Sequence, residues 1–228
     1  MKRIARLTAT LVLLSGAALP TAAVAQGTTT VAVVPFNVRE SRTDTAAFIG
    51  IGTALADLLS AELRAVPGVR VLDRGPVSRT AAIQPKTRNG FTGREGAVTA
   101  ARALGAQHVV FGGFAADASG NVRLDARAVN VGTGVVETTE RLQGRGDDIA
   151  SLVHQLAVRL ETAMSVTASG STAASPSIDV SGLAAYGKAL EASDRGDRAQ
   201  ARQLLEGVLR DHPDFAPAKA ALSAPGDR

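Results

Sequence analysis

The sequence predicts an α/β (α+β) protein in which helices pack against a mixed sheet of about five strands, followed by a small C-terminal α-hairpin. Three observations lead to this expectation: short apolar runs rich in β-branched residues, amphipathic segments with helical spacing between them, and a run of small polar residues before the last helices. The predicted element order is β-α-β-α-α-β-β-β-α.

The first strand and helix are predicted from neighbouring apolar patterns. VAVVPF (Val31 to Phe36) is a continuous apolar run, which is typical of a strand buried on both faces. Apolar residues then recur at helical spacing over residues 46–66 until Pro67 and Gly68 end the pattern, and Val69 to Asp73 supplies a second strand. This β-α-β order favours a parallel pair with a right-handed crossover.

The middle of the chain alternates between helical and strand patterns. A short helix is predicted around Val77 to Ile83, a polar loop from Gln84 to Gly93 and a helix from Arg94 to Leu104. The apolar run from Gln107 to Phe114 then predicts another buried strand.

The last part of the predicted sheet is antiparallel. In NVRLDARAV, apolar residues alternate with Arg123, Asp125 and Arg127, which is the period of a half-exposed strand. Turn-forming residues at 118–121 and 132–134 predict three antiparallel strands in sequence. A helix with one apolar stripe follows, with Asp147 or Asp148 as its expected cap.

The N-terminus has the pattern of a secretory signal peptide. An apolar run from Leu7 to Leu19 follows three basic residues, Lys2, Arg3 and Arg6. Cleavage is expected between Ala25 and Gln26. The alternative is an uncleaved membrane anchor, but Gly16 interrupts the run, which is shorter than the ~20 residues of a spanning helix. We therefore expect a periplasmic or secreted protein.

Composition excludes several classes of site. Removing three basic residues from 25 leaves 22 Lys and Arg against 21 Asp and Glu, so the mature chain is nearly neutral, and nucleic-acid binding is not expected. There is no cysteine, which excludes disulfides, thiolate metal sites and a lipoprotein anchor on cysteine. No later apolar run reaches ~18 residues, so no transmembrane segment is expected in the mature chain.

Small polar residues from Val166 to Gly182 predict a flexible linker. The linker (166–182) divides the mature chain into an α/β domain over residues 26–165 and a helical hairpin over residues 183–228. The hairpin is marginal as an isolated domain, because fewer than ~50 residues bury little apolar surface.

The order of four motifs resembles the TolB amino-terminal-like and CsgG-like superfamily of envelope assembly proteins. The motifs are VAVVPF, LSAELRAVPGVRVLDR, ARALGAQHVVFGGF and NVRLDARAVNVGTGVVETTER, followed by an amphipathic helix, and they cover about residues 31–164. The resemblance implies a sheet packed by helices, a role in binding other envelope proteins and no catalytic site. It leaves several pathways open: Tol-like, cell-wall synthase, flagellar and curli-like.

The C-terminal segment, about residues 183–222, resembles a tetratricopeptide repeat. Gly196 and Asp197 fall at the turn between two helices, Ala201 at the small packing position and Pro213 at the close of the second helix. Stable arrays need about three repeats, so this one must dock on its own domain, a second copy or a partner.

A basic segment is the candidate partner-binding site. Between Arg74 and Arg102 lie six basic residues, with Asp73 and Glu95 as the acidic ones. One interpretation is a solvated surface. The other is a docking patch for an acidic partner or an anionic envelope polymer, centred on Lys86, Arg88 and Arg94.

The residues do not form a recognisable catalytic, cofactor or metal motif. His108, His154 and His212 have no metal-ligand spacing, so structural or surface roles are expected. Gly50-Ile51-Gly52 lacks the third glycine of a dinucleotide loop, so a helix-packing role is expected instead. We therefore expect no enzyme activity and no cofactor.

Three functional hypotheses remain open at this point. The first is a non-catalytic periplasmic adaptor or assembly factor that acts through protein–protein binding, with homo-oligomerisation as a further alternative. The second is a subunit of a CsgG-like outer-membrane secretion or surface-fibre assembly. The third and remotest is a periplasmic hydrolase, which would need a nucleophile and base that the sequence does not display.

Overall fold

The computed structural model describes residues 28–39, 48, 50–85, 92–164 and 178–223. Within these ranges the chain forms six strands: β1 Thr29–Val33, β2 Asn37–Arg39, β3 Val69–Val71, β4 His108–Ala116, β5 Asn121–Asn130 and β6 Val136–Arg145. The helices in the same ranges are α1 Ile51–Arg64, α2 Arg74–Ala82, α3 Arg94–Ala103, α4 Ile149–Ala163, α5 Val180–Asp194, α6 Arg198–Asp211 and α7 Ala216–Ser223.

The strands form one mixed sheet in the order β3-β1-β4-β5-β6, and β2 also pairs with β4. Strand β1 is parallel to β3 and β4, and β2 is parallel to β4, whereas β4, β5 and β6 are successively antiparallel. The predicted α/β class and the mixed sheet are confirmed, and the element order agrees apart from the additional strand β2.

The first predicted strand is two strands in the structure. Strand β1 ends at Val33, and β2 begins at Asn37. Pro35 lies between them, and proline lacks the N–H that a ladder needs. The chain therefore leaves the β1 register and rejoins the sheet farther along β4.

Two helix starts differ from the sequence expectation. The helical spacing begins near residue 46, but α1 begins at Ile51, after Gly50 in the left-handed conformation with φ of 91°. Asp148 lies at the N-cap position of α4, as expected, but its side chain accepts no cap hydrogen bond. A single 3-10 turn over Gly146–Asp148 precedes α4, and the backbone of Asp148 is not in the extended conformation that a capping side chain requires.

Apolar layers lie on both faces of the sheet. The larger layer, on the inner face, joins the sheet to α1, α4 and α5 through residues such as Val110, Leu124 and Leu156. The smaller layer, on the outer face, joins it to α2 and α3 through residues such as Val109, Phe111 and Ala97. On the outer face this cover reaches β1, the first half of β4 and the adjoining end of β5.

The C-terminal helices pack on the chain's own α/β domain, which answers where the hairpin docks. Ile178, Leu183 and Tyr186 are buried in the same apolar layer as α1. The Tyr186 ring meets the buried Phe215 ring edge to face, with centroids 5.1 Å apart. Much of the predicted linker, residues 166–177, lies outside the described residues, and α5 begins at Val180, before the expected boundary.

Two glycines allow α5 to approach the start of α1 closely. A Cβ on Gly187 would collide with the carbonyl oxygen of Gly50, and a Cβ on Gly50 would lie 2.8 Å from the carbonyl oxygen of Ala184. Gly52 is equally restricted, by the carbonyl oxygen of Phe36. The expected helix-packing role of Gly50 and Gly52 is confirmed.

A partly buried polar network links the C-terminal helices to the α/β domain beside this contact. The Arg74 guanidinium donates to Asp57 at 2.8 Å and to Asp194 at 2.9 and 3.1 Å. The Tyr186 hydroxyl donates to the other oxygen of Asp57 at 2.7 Å. Burial alone would lower the pKa of Arg74, but the bonds to Asp194 and Asp57 outweigh it and raise that pKa. Burial raises the pKa of the Tyr186 phenol, and the adjacent Asp57 adds to the increase.

Among the described residues, no helix is both long enough and apolar enough to cross a membrane.

The glycine contact predicts a large response to one methyl group. Gly187→Ala should lower the free energy of unfolding by about 1–3 kcal/mol, because the helices must move apart. Gly207→Ala is the matched control: a Cβ there meets nothing within 4 Å, so it should raise stability by about 0.5–1 kcal/mol. Urea unfolding followed by fluorescence of Tyr186, the single tyrosine in a chain without tryptophan, measures both. Equal stabilities would contradict the packing argument.

The cap of α5 predicts a pH-dependent stability. Asp179 accepts from Gly182 N–H at 2.7 Å. Burial alone would raise its pKa, but this bond, the Ser181 hydroxyl and His212 together lower the pKa. Asp179→Ala should therefore cost about 1 kcal/mol or less at pH 7.

The direction of this pH dependence follows from the lowered pKa of Asp179. The Asp179 contribution is complete above its ordinary pKa of 3.8 and is lost as the pH falls through the lower folded-state value. Unfolding curves of both proteins should thus converge in acid. Asp214→Ala, at a fully exposed side chain, is the control and should change stability little at any pH. A stability difference that persists unchanged at low pH would contradict the role of the carboxylate.

Candidate interaction surface

The antiparallel half of the sheet presents a polar face that we call the open sheet face. It consists of the outward side chains of β4, β5 and β6 that α2 and α3 do not cover. By the strand register these residues are Gly113, Ala115, Asn121, Arg123, Asp125, Arg127, Thr139, Arg141, Gln143 and Arg145.

The two glycines of β4 show that the inner face of the sheet is covered at this point and the outer face is open. A Cβ on Gly112 would collide with the carbonyl oxygen of Asp125 and come within 2.8 Å of the Phe36 ring, so the inner face is filled. A Cβ on Gly113, which faces outward, would meet only the carbonyl oxygen of Asn37, at 3.3 Å. Beyond Phe111, the outer face of β4 is therefore uncovered among the described residues.

Arginines dominate the charge of the open sheet face. Arg123 Nε donates to Asp125 Oδ2 at 3.1 Å, and Arg141 Nε, from the neighbouring strand, donates to Asp125 Oδ1 at 2.6 Å. The hydrogen bond with Asp125 raises the pKa of Arg141. Both arginines use Nε for Asp125, so their Nη groups remain available to a second carboxylate.

Two further arginines extend the positive charge. Arg127 lies opposite Thr139 and is exposed, and within the described part of the chain it forms no ion pair. Arg145, also exposed, ends β6. Four arginines therefore share this face with one acid, Asp125, although the formal net charge of the whole chain is only +4.

The basic patch predicted from the sequence falls partly at the edge of this face. Lys86 and Arg88 lie outside the described residues, as do Ala25 and Gln26. Arg94 is exposed at the first residue of α3. Just before it, the Thr92 carbonyl accepts from Asn37 Nδ2 at 3.2 Å, and Asn37 is in register with Gly113 of the open sheet face. The role of Lys86, Arg88 and Arg94 in partner binding stays a prediction.

Part of the open sheet face was visible in the sequence. The alternation in β5 correctly places Arg123, Asp125 and Arg127 on one side. Sequence reasoning missed Arg141 and Arg145, because β6 contains a single buried apolar residue, Leu142, and so has no clear alternation. A search for polar residues at every second position of β6 could have found them.

The three histidines each pair with a carboxylate, as structural roles require. His108 Nδ1 lies 2.8 Å from Glu137, and His154 Nδ1 lies 2.8 Å from Glu62. His212 Nε2 lies 3.5 Å from Asp179 at the start of α5. Among the described residues, no group of three or more His, Asp or Glu side chains is arranged to hold a metal ion.

A cleft beside His108 is a second candidate binding site. It has a volume of about 450 Å³ and is wide open to solvent; its lining includes Arg102, Gln107, His108 and Asn130. Arg102 already donates to the Val131 carbonyl at 2.8 Å, and Gln107 accepts from the Thr30 N–H at 2.9 Å. These polar side chains therefore already bond the backbone at the end of the sheet. The open sheet face is the stronger candidate for partner binding.

The open sheet face predicts that its charges contribute little to folding. Asp125→Asn and Arg127→Gln should each change the free energy of unfolding by less than about 1 kcal/mol, since exposed ion pairs stabilise weakly. Arg74→Gln should cost more than about 2 kcal/mol, because it leaves Asp57 and Asp194 partly buried without a counter-charge. Thermal or urea unfolding of the three variants tests this contrast. A loss for Asp125→Asn as large as that for Arg74→Gln would show that the arginine pairs are structural.

No protein-family profile matches this chain, and no curated protein matches it. Solved structures similar to it include TolB from Acinetobacter baumannii, at 15% identity and a TM-score of 0.37 over 60% of this chain. The chain spans only 27% of that TolB chain.

Two further solved structures resemble the chain at similar levels. The LpoB C-terminal domain from Escherichia coli has 15% identity and a TM-score of 0.40 over 52% of this chain and 84% of that one. The PelC dodecamer from Paraburkholderia phytofirmans has 18% identity and a TM-score of 0.37 over 64% and 93%. Because these TM-scores are below 0.5, no conclusion about function is drawn from the three likenesses.

Proposed function

We propose that this protein is a non-catalytic adaptor or assembly factor of the bacterial cell envelope, which acts through protein–protein binding at its open sheet face. The observation that supports the proposal most is the concentration of four arginines on an uncovered sheet face in a nearly neutral chain. Arginine on a rigid strand is well suited to recognise carboxylates, because its planar guanidinium forms paired hydrogen bonds.

The rest of the fold makes this face a rigid platform. The opposite side of the sheet is closed by α1, α4 and α5, which share one apolar layer. A side chain on a central strand such as β5 is held by ladder hydrogen bonds on both sides. A partner would therefore meet preformed charges and would not have to order them, which favours binding.

The envelope location and the repeat-like hairpin belong to the same proposal. The location rests on the signal-peptide pattern that ends at Ala25 and Gln26. The hairpin is proposed to be tetratricopeptide-like, with its α5 face occupied by the protein's own α1 and not by a partner. We propose that the binding partners are envelope proteins.

Site-specific photocrosslinking in intact cells tests the proposal. A photoreactive residue at Gln143, on the open sheet face, should give a discrete adduct in the periplasmic fraction. The same residue at Gln203, exposed on α6, is the matched control and should not give that adduct. The combined change Arg123→Gln and Arg127→Gln should abolish the Gln143 adduct without unfolding the protein. Adducts at Gln203 alone, or none at Gln143, would contradict the proposal.

A further inference from the structure

Strand β6 is a free edge of the sheet. It runs over ten residues and, in the described structure, has β5 as its one strand neighbour. The unpaired N–H and C=O groups of such an edge can accept an additional strand. The opposite edge, β3, has three residues and offers a much shorter template.

A bulge limits the usable part of this edge. Ala128 pairs with Thr138, but the next residue, Val129, pairs with Val136, which leaves Glu137 as an extra residue. The Glu137 side chain bonds His108 at 2.8 Å and Asn130 at 3.4 Å. The regular edge therefore runs from residue 138 to residue 145.

The outward row along this regular edge contains no acid. It consists of Thr139, Arg141, Gln143 and Arg145, with neighbouring members about 7 Å apart because a strand rises ~3.4 Å per residue. The Arg141 side chain is 66% exposed and keeps its Nη groups free of Asp125. A strand added beside β6 would place every second side chain at the same repeat and on the same face.

We propose that β6 binds an extended acidic segment of a partner protein as an added strand, with alternate carboxylates of that segment facing Arg141 and Arg145. The proposal rests on the proposed function, since it names the chemistry of the partner. Backbone pairing to residues 138–145 supplies affinity, and the two arginines select Asp or Glu in the added strand. Arg123 and Arg127, one strand farther in, add to the positive potential.

Two ways of pairing this edge with a second copy of the chain oppose like charges. A two-fold axis at Arg141 would place Arg141 opposite its own copy, and an axis at Glu140 would place two glutamates opposite each other. Like charges directly opposite on neighbouring strands are destabilising. The bulge at Glu137 also limits any self-pairing to residues 138–145, whereas an acidic partner strand would complement the arginines of the outward row.

Binding of synthetic peptides to the purified protein tests the proposal. The probe is a capped peptide of alternating Thr and Glu, and three comparisons accompany it: the same peptide with Lys for Glu, the acidic peptide with alternate backbone amides N-methylated, and polygalacturonate as an anionic polysaccharide. Titration calorimetry at low salt should show binding of the unmodified acidic peptide, with at least about tenfold weaker binding of the lysine and N-methylated peptides. Amide hydrogen exchange should slow in residues 138–145 of the complex.

Variants separate the edge from general electrostatics. The combined change Arg141→Gln and Arg145→Gln should weaken binding of the acidic peptide by about tenfold or more. Arg202→Gln is the control, since the Arg202 side chain on α6 is also well exposed, at 74%. This change should leave peptide binding unchanged. Circular dichroism verifies that each variant is folded.

Several outcomes would overturn the inference. Equal binding of the N-methylated peptide would mean that charge alone is recognised, without strand pairing. Tighter, arginine-dependent binding of polygalacturonate would identify a polymer site instead. Amide hydrogen exchange that slows elsewhere but not in β6 would show that the peptide binds at another site. Because photocrosslinking at Gln143 is independent of these peptides, a positive crosslink with failed peptide binding would reject this inference alone, and a failed crosslink would reject the proposed function.

Discussion

The close contact between α5 and the start of α1 is the constraint on which the rest of the structure depends. It requires glycine at 50 and 187, because a Cβ on either residue would collide with the backbone of the other helix. The contact brings Tyr186 to Asp57 and Asp194 to Arg74, so the same approach that excludes side chains also completes a polar network. The C-terminal helices thereby share one apolar core with α1 and α4, on the inner side of the sheet.

With the inner side closed, the two halves of the sheet differ on the outer side. The parallel half, around β1 and the start of β4, is covered by α2 and α3, and its strands are apolar on both faces. The antiparallel half has no such cover among the described residues and carries alternating apolar and charged side chains. The arginines are therefore placed where they add little to folding and remain available to a partner. Strand β6 combines this charge with a free backbone edge, so one surface offers both electrostatic selection and strand pairing.

Much of the fold could be predicted, because each element has a local pattern of its own. The helical spacing of α1 and α4, the apolar runs of β1 and β4 and the alternation in β5 led to the correct class and order. The differences arise where tertiary contacts override local preference. Pro35 divides one apolar run into two strands, α1 begins only after Gly50, and a 3-10 turn before α4 leaves the Asp148 side chain without a cap hydrogen bond. For the candidate site, the alternation in β5 placed three of its charged residues, whereas Arg141 and Arg145 on β6 were missed. The bulge at Glu137 could not be seen, since it depends on register against β5.

The amino-acid sequence by itself determined the class of the domain, the order of its elements and the lack of any thiol chemistry, because periodicity and composition are local properties of a chain. Only the tertiary structure decided which face of the sheet stays uncovered, where the C-terminal hairpin docks and which arginines share a surface. These features depend on contacts between residues far apart in the chain, such as Asp57 with Tyr186 and Asp125 with Arg141. A one-dimensional pattern carries little information about such contacts, since many long-range pairings are compatible with the same local periodicities.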